Sequence, residues 1–94
     1  MKAKIDNLEK EQLIEMIKVL CKFGADINGD HGAALIAACN AGDVEMVNFL
    51  LHKKANVHMQ DDMALIIACH EGHVEIVNLL IKNTLNYIKK QINN

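Results

Sequence analysis

Two histidines have the spacing of a helical metal pair. His70 and His73 are three positions apart, so both side chains could reach one ion from the same helix. A zinc site needs at least three protein ligands, and the sequence offers no third ligand near this pair. We therefore predict a structural role for His73 and no bound metal or other cofactor.

Three cysteines, Cys21, Cys39 and Cys69, could support redox or nucleophilic chemistry. Cys39 and Cys69 have matching surroundings, which predicts that they lie on neighbouring helices of a repeat. Such helices are about 8 to 10 Å apart, beyond the ~7 Å Cα separation that a disulfide can span. Cys69 and His70 are sequence neighbours, so on a helix they point about 100° apart and cannot act as nucleophile and base. We predict buried thiols that act as small apolar side chains.

The acidic pair Asp61-Asp62 could attract a basic partner or Ca²⁺. The pair lacks the alternating ligands of a calcium loop, so we predict a solvated turn in which Asp62 caps the helix that follows. The chain also lacks a Gly-rich phosphate loop and a locally supported Ser-His-Asp set. These observations predict that the protein is not an enzyme.

Composition limits the fold and the class of partner. Hydrophobic residues make up 51% of the 94 residues but aromatic residues only 3%, and the chain has no Pro, so an aliphatic, helical core is predicted. Ten basic and twelve acidic residues give a net charge of -2 without a basic stripe, which argues against nucleic-acid binding. No apolar run approaches the ~20 residues of a membrane span, and the first residues do not resemble a signal peptide. We expect a soluble, intracellular protein, in the cytoplasm and without membrane contact.

An internal repeat, in which matching residues are thirty positions apart, decides the predicted architecture. The residues Val44, Glu45, Val47, Asn48 and Leu50 return unchanged as Val74, Glu75, Val77, Asn78 and Leu80. The first helical segment matches the same pattern one period earlier, but only over the second half of a unit. A unit that cannot bury its apolar faces alone must stack on its neighbours.

The apolar spacing predicts two helices in each full unit. We expect helices at 7–22, 33–41 and 63–71, with repeated helical stripes at 44–51 and 74–81. Asp6 and Glu9 form a capping box for the first helix, and Gly42 and Gly72 are predicted C-terminal caps. The pair Asn28-Gly29 predicts a two-residue β-turn in a short finger between units.

These elements predict an all-α, helical-hairpin solenoid in a single domain. It consists of a half repeat and cap at 1–25, one repeat at 26–55, a second repeat at 56–83 and a C-terminal capping helix at 84–94. The array thus contains about two and a half repeats.

The repeat resembles the ankyrin repeat, whose pattern runs T-P-L-H-x-A, then A-x-x-G-H-x-E-V-V-x-L-L, and closes with G-A-D. The resemblance covers about residues 10 to 83, and the triplet Gly24-Ala25-Asp26 matches the closing motif. The period is shorter than the usual value of about 33 residues, and Ile36 and Ile66 replace the His of the first motif. The shortened repeats look like those of ankyrin proteins from large DNA viruses of amoebae. The matching residues in the second full unit are Leu65, Ala68, Cys69, Gly72, His73, Glu75, Ile76, Val77, Leu79 and Leu80.

The resemblance implies a protein–protein interaction module that binds its partner through inner helices and turns. Ile36 and Ile66 are the sharpest candidates because they place apolar bulk where the family has a polar residue. The alternative is a structural protein that forms a homodimer through exposed apolar end faces, since about three repeats are usually needed for stability. The predicted partner-binding residues are Asp30, His31, Ile36, Asn40, Met59, Gln60, Ile66, His70 and Glu71.

Overall fold

The protein is built from helices throughout the part of the chain that the structure describes. The computed structural model describes residues 12 and 15–93, except the side chains of residues 30 and 31. The predicted capping box at residues 6 and 9 lies outside this part. The helices are α1 (15–22), α2 (Gly29–Ala41), α3 (Val44–His52), α4 (Met59–His70) and α5 (Val74–Asn93). The all-α prediction is confirmed.

The helices form two hairpins that stack side by side. α2 and α3 form the first hairpin, and α4 and α5 form the second; α2 packs on α4, while α3 packs on α5. Equivalent helices begin one repeat apart, at Gly29 and Met59 and at Val44 and Val74. α1 corresponds to α3 one period earlier, so it is the second helix of a first, partial unit. We call α2 and α4 the inner helices, and α1, α3 and α5 the outer helices. This arrangement confirms the helical-hairpin repeat.

The core lies between the two hairpins and is aliphatic, as the composition predicts. Val47, Leu50 and Ile76 are completely buried on the outer helices, and the small side chains of Ala64 and Ala68 are buried on α4. Small residues at these positions allow α4 to lie close to α2. The stacked hairpins therefore share one continuous core within the described residues.

The loops that precede each hairpin are tight turns, and the predicted β-turn is wrong. Gly29 opens helix α2, so Asn28-Gly29 cannot form the centre of a two-residue β-turn. In the first loop the Asn28 N–H donates to Asp26 Oδ1 at 2.9 Å, and in the second the His58 N–H donates to Asn56 Oδ1 at 2.9 Å. The Asn56 N–H also donates to Asn28 Oδ1 at 2.7 Å, which joins the two loops. Hydrogen bonding between the stacked loops therefore takes the place of the short β-turn finger predicted between units.

The first turn of each inner helix contains left-handed backbone. Gly32 in α2 has φ +76°, and Asp62, at the same position of the next repeat in α4, has φ +64°. Gln60 and Asp61 are left-handed as well, so the regular helix in α4 begins at Met63, where the sequence predicts its start. The prediction that Asp62 caps this helix is wrong, because its carboxylate Oδ1 pairs with Nδ1 of His58.

The predicted capping helix at 84–94 is not a separate element. Helix α5 runs without interruption over 20 residues, and residues 84–93 are its continuation. The hydroxyl of Thr84 donates to the Leu80 carbonyl at 3.1 Å, which accommodates this residue within the helix. No residue that would break a helix occurs between 73 and 93, so nothing local ends α5 earlier. Among the described helices, none has the length and apolar character needed to cross a membrane.

Candidate partner-binding surface

The predicted binding residues on the inner helices form two rows, one on each helix. Ile36 and Asn40 on α2 match Ile66 and His70 on α4, and the two helices are in contact. Asn40, Ile66 and His70 are exposed, and 53% of the surface of Ile66 is accessible. Ile36 is only half-buried and packs against the core, so it offers less surface than its counterpart. We call these four residues the inner face.

The predicted turn residues lie in several different environments. Met59 is half-buried. It lies close to Gly32 of the preceding unit, since a Cβ added at Gly32 would be 2.9 Å from Met59 Cβ. Gln60 and Glu71 are exposed at the two ends of α4. Asp30 and His31 lie within α2, but their side chains are outside the described residues. Met59 thus contributes to packing between units, which limits its availability to a partner.

The inner helices carry no strong positive charge. Residues 29–41 and 59–71 contain no Lys or Arg, whereas they include the acidic residues Asp30, Asp61, Asp62 and Glu71. The lysines near them in sequence lie on α1, in the loop after α3 and on α5. Ile66 therefore lies on an inner helix that has acidic residues near both ends and no Lys or Arg.

His70 and His73, the two histidines with metal-pair spacing, lie in different surroundings. The His73 ring lies against Gly42, and its Nε2 is 3.4 Å from the Asn40 carbonyl oxygen, so it bridges the second unit to the first. His70 is exposed at the end of α4. Within the described residues, no group of three or more His, Cys, Asp or Glu side chains could hold a metal ion. The structure supports the structural role predicted for His73.

The cysteines differ in burial although two occupy the same repeat position. Cys39 is completely buried, Cys21 is partly buried and Cys69 is exposed; all three are free thiols. The prediction of a buried thiol is wrong for Cys69. Cys39 lies on α2, which packs on α4 of the second hairpin, whereas no described hairpin follows the one that contains Cys69. Burial raises the pKa of the Cys39 thiol to about 11.

This difference predicts selective thiol modification. We expect iodoacetamide at neutral pH to alkylate Cys69 in the native protein and to leave Cys39 unmodified. Cys39 is buried, and its thiol is almost entirely protonated at that pH. Peptide mass spectrometry after timed quenching measures both sites. In denaturant the two cysteines should react at similar rates. Equal rates in the native protein would contradict the burial difference.

The second hairpin exposes apolar residues at an end of the described stack, and the sequence pattern alone had not identified which residues these are. Four residues in it are exposed or half-buried, while their counterparts one repeat earlier are better covered: Leu65, Cys69, Val74 and Ile81 against Leu35, Cys39, Val44 and Leu51. A groove beside them is lined by Val57, Leu65, Leu80, Ile81, Thr84 and Leu85 among others. We call Leu65, Val74, Ile81 and Leu85 the end face. The repeat alignment could have indicated it, because these positions face a following unit.

The chain matches a known protein family. A family model described as ankyrin repeats in many copies matches residues 35–81, which span both hairpins from the middle of α2 into α5. The match covers half of the chain and includes Ile36, Asn40, Ile66 and His70. No curated protein and no solved structure matches the chain.

Proposed function

Because the chain belongs to the ankyrin-repeat family, whose members generally bind proteins, we propose that it is a non-catalytic module that binds a protein partner through its inner face. The observation that carries this proposal is Ile66, a large apolar side chain exposed on an inner helix next to His70. Contiguous apolar surface rimmed by polar residues is typical of interaction sites, and the half-buried Ile36 at the same position of the neighbouring helix would extend the apolar surface of Ile66. Of the remaining predicted contacts, Asp30, His31, Gln60 and Glu71 would form the rim, whereas Met59 packs between the units.

The charges of the inner helices indicate the kind of partner. An apolar centre with acidic neighbours fits a partner surface that presents an apolar side chain flanked by Lys or Arg. The same charges disfavour nucleic acid, whose phosphates need a cationic surface. We also propose an intracellular setting, and the resemblance of the shortened repeats to those of large amoebal viruses remains a prediction about origin.

Replacing Ile66 tests this proposal. We expect Ile66→Ser to lower the amount of partner that the immobilised chain retains from a cell lysate by about tenfold, since burial of an isoleucine contributes about 1.5 to 3 kcal/mol. The matched control is Val19→Ser on α1, because the exposed fractions of Ile66 and Val19 are 53% and 52%. Quantitative mass spectrometry compares the retained proteins. Unchanged retention by the Ile66 variant, with loss in the Val19 variant, would locate binding outside the inner face.

A second candidate function is self-association through the apolar surfaces at the two ends of the described stack. Exposed apolar side chains occur at both ends of the described stack, with Met16, Leu20 and Phe23 at the first end and Ile81 and Leu85 at the other. Light scattering over about a hundredfold range of protein concentration measures this directly, because a reversible dimer gains mass with concentration. A constant monomer mass would exclude this candidate and leave partner binding by the inner face unaffected.

A further inference from the structure

Helix α5 carries an exposed apolar seam along its whole length. Five apolar residues and one asparagine alternate at spacings of four and three residues, which is the heptad pattern of a coiled-coil seam. All of them are exposed, and they lie opposite the buried residues Ile76 and Leu80. The six seam residues are Val74, Asn78, Ile81, Leu85, Ile88 and Ile92.

The beginning of the seam continues an interface that this chain already forms. Val44 and Leu51 occupy the corresponding positions of α3, and both pack against the core where the second hairpin lies. Val74 and Ile81 are exposed, because no described element follows the second hairpin. A face of this kind therefore accepts another helix, as it does one repeat earlier.

The length of the seam indicates which helix covers it. α3 has 9 residues and α5 has 20, so a further hairpin like the first would leave Leu85, Ile88 and Ile92 uncovered. A helix of 20 residues is about 30 Å long, and α5 is the longest described helix. The matching occupant is α5 of a second copy of this chain.

The charges beside the seam select the antiparallel orientation. If Ile81 lies opposite Leu85 of the second copy, Glu75 comes beside Lys89 of that copy, and the symmetric pair forms at the other end. Lys82 then lies near its own counterpart at the twofold axis, so two attractive pairs are set against one repulsive pair. In a parallel pair Lys82 and Lys89 would face Val77 and Thr84, without a carboxylate partner. Charges that flank a seam set helix orientation in this way.

We infer that two copies of this chain pair through an antiparallel, twofold-symmetric contact between their α5 helices, with the seam buried and Glu75 of each copy paired with Lys89 of the other. This inference rests on the self-association proposed above and specifies its surface. It is independent of the inner face, since Ile66 and His70 are on α4. A twofold contact closes on itself and limits assembly to a dimer.

The apolar part of the contact is tested by a pair of matched substitutions. We expect Leu85→Glu to raise the dimer dissociation constant by about a hundredfold or more, because two carboxylates would be buried without partners. Leu20→Glu on α1 should leave it unchanged; the exposed fractions of Leu85 and Leu20 are 54% and 55%. Light scattering and sedimentation velocity give the mass, and circular dichroism checks that each variant is folded. Loss of the dimer only with Leu20→Glu would overturn the α5 contact and retain self-association at the first end.

The orientation is tested by exchanging charges. Glu75→Lys should weaken the dimer about tenfold, because two attractive pairs become repulsive, and adding Lys89→Glu should restore it. Glu75 and Lys89 are 14 positions apart on one helix, or about 21 Å, so rescue requires contact between copies. Glu45→Lys, one repeat earlier, is the matched control and should have no effect. A dimer without rescue overturns the antiparallel register, and a wild-type chain that is monomeric at every concentration overturns the contact altogether.

Discussion

Replacing Leu50 by alanine should lower the free energy of unfolding by about 3 kcal/mol or more, since truncation of a buried leucine costs about 2 to 5 kcal/mol. Leu50 is completely buried between the two hairpins, and its repeat counterpart Leu80 is buried as well. A protein of 94 residues has little stability in reserve, so this variant should be largely unfolded at about 37 °C. Urea denaturation followed by circular dichroism measures the change.

Leu20 provides an internal control for this experiment. It occupies the same repeat position as Leu50 on α1, but more than half of its surface is exposed. We expect Leu20→Ala to cost less than about 1 kcal/mol, because little apolar surface returns to water. If Leu20→Ala proved as costly as Leu50→Ala, the position of α1 at an uncovered end of the stack would be wrong.

Replacing Gly42 by alanine should have the second large effect, about 2 to 4 kcal/mol, the sum of backbone strain and a steric clash. Gly42 ends α2 at φ +72°, where an L-residue costs about 1 to 2 kcal/mol. Its new Cβ would also lie 2.6 Å from Cε1 of His73, so the imidazole must move away from the first hairpin. Gly72 has the same φ of +72°, but a Cβ there would meet nothing within 4 Å. Gly72→Ala should therefore cost only the backbone strain of about 1 to 2 kcal/mol.

A double-mutant cycle separates the two contributions at Gly42. When His73 is already alanine, Gly42→Ala should cost no more than Gly72→Ala, because the clash has been removed. Thermal unfolding of the four proteins gives the coupling energy between residues 42 and 73. A coupling energy near zero would mean that the His73 ring does not pack on Gly42, and that the contact between hairpins depends on the aliphatic core alone.

The sequence predicted the hairpins correctly and their first turns incorrectly. The repeat period located α3 and α5, because apolar residues at helical spacing indicate a helix with one buried face wherever that helix lies in the stack. The start of α2 was missed because Asn28-Gly29 favours a β-turn locally, whereas stacking of the two loops places Asn28 Oδ1 on the Asn56 N–H instead. Asp62 was assigned as a cap for a similar reason, since its left-handed backbone and its pairing with His58 depend on the repeat and not on residue preference.

For the candidate surfaces, too, the repeat pattern predicted the positions and tertiary packing decided their exposure. The family pattern indicated Ile66, because the sequence shows isoleucine at an inner-helix position that histidine normally occupies. It could not distinguish Ile66 from Ile36, whose half-burial follows from packing against the core. Likewise Cys39 and Cys69 are equivalent in sequence and opposite in burial.

The sequence by itself determined the helical repeat, the aliphatic core and the membership of a family of interaction modules. It did so because periodic apolar residues constrain each unit in the same way wherever the unit lies in the stack. Only the tertiary structure decided which copy of each repeated position is covered, since burial depends on the neighbouring hairpin. That difference leaves Ile66 and the seam of α5 exposed and makes Leu50 and Cys39 part of the core.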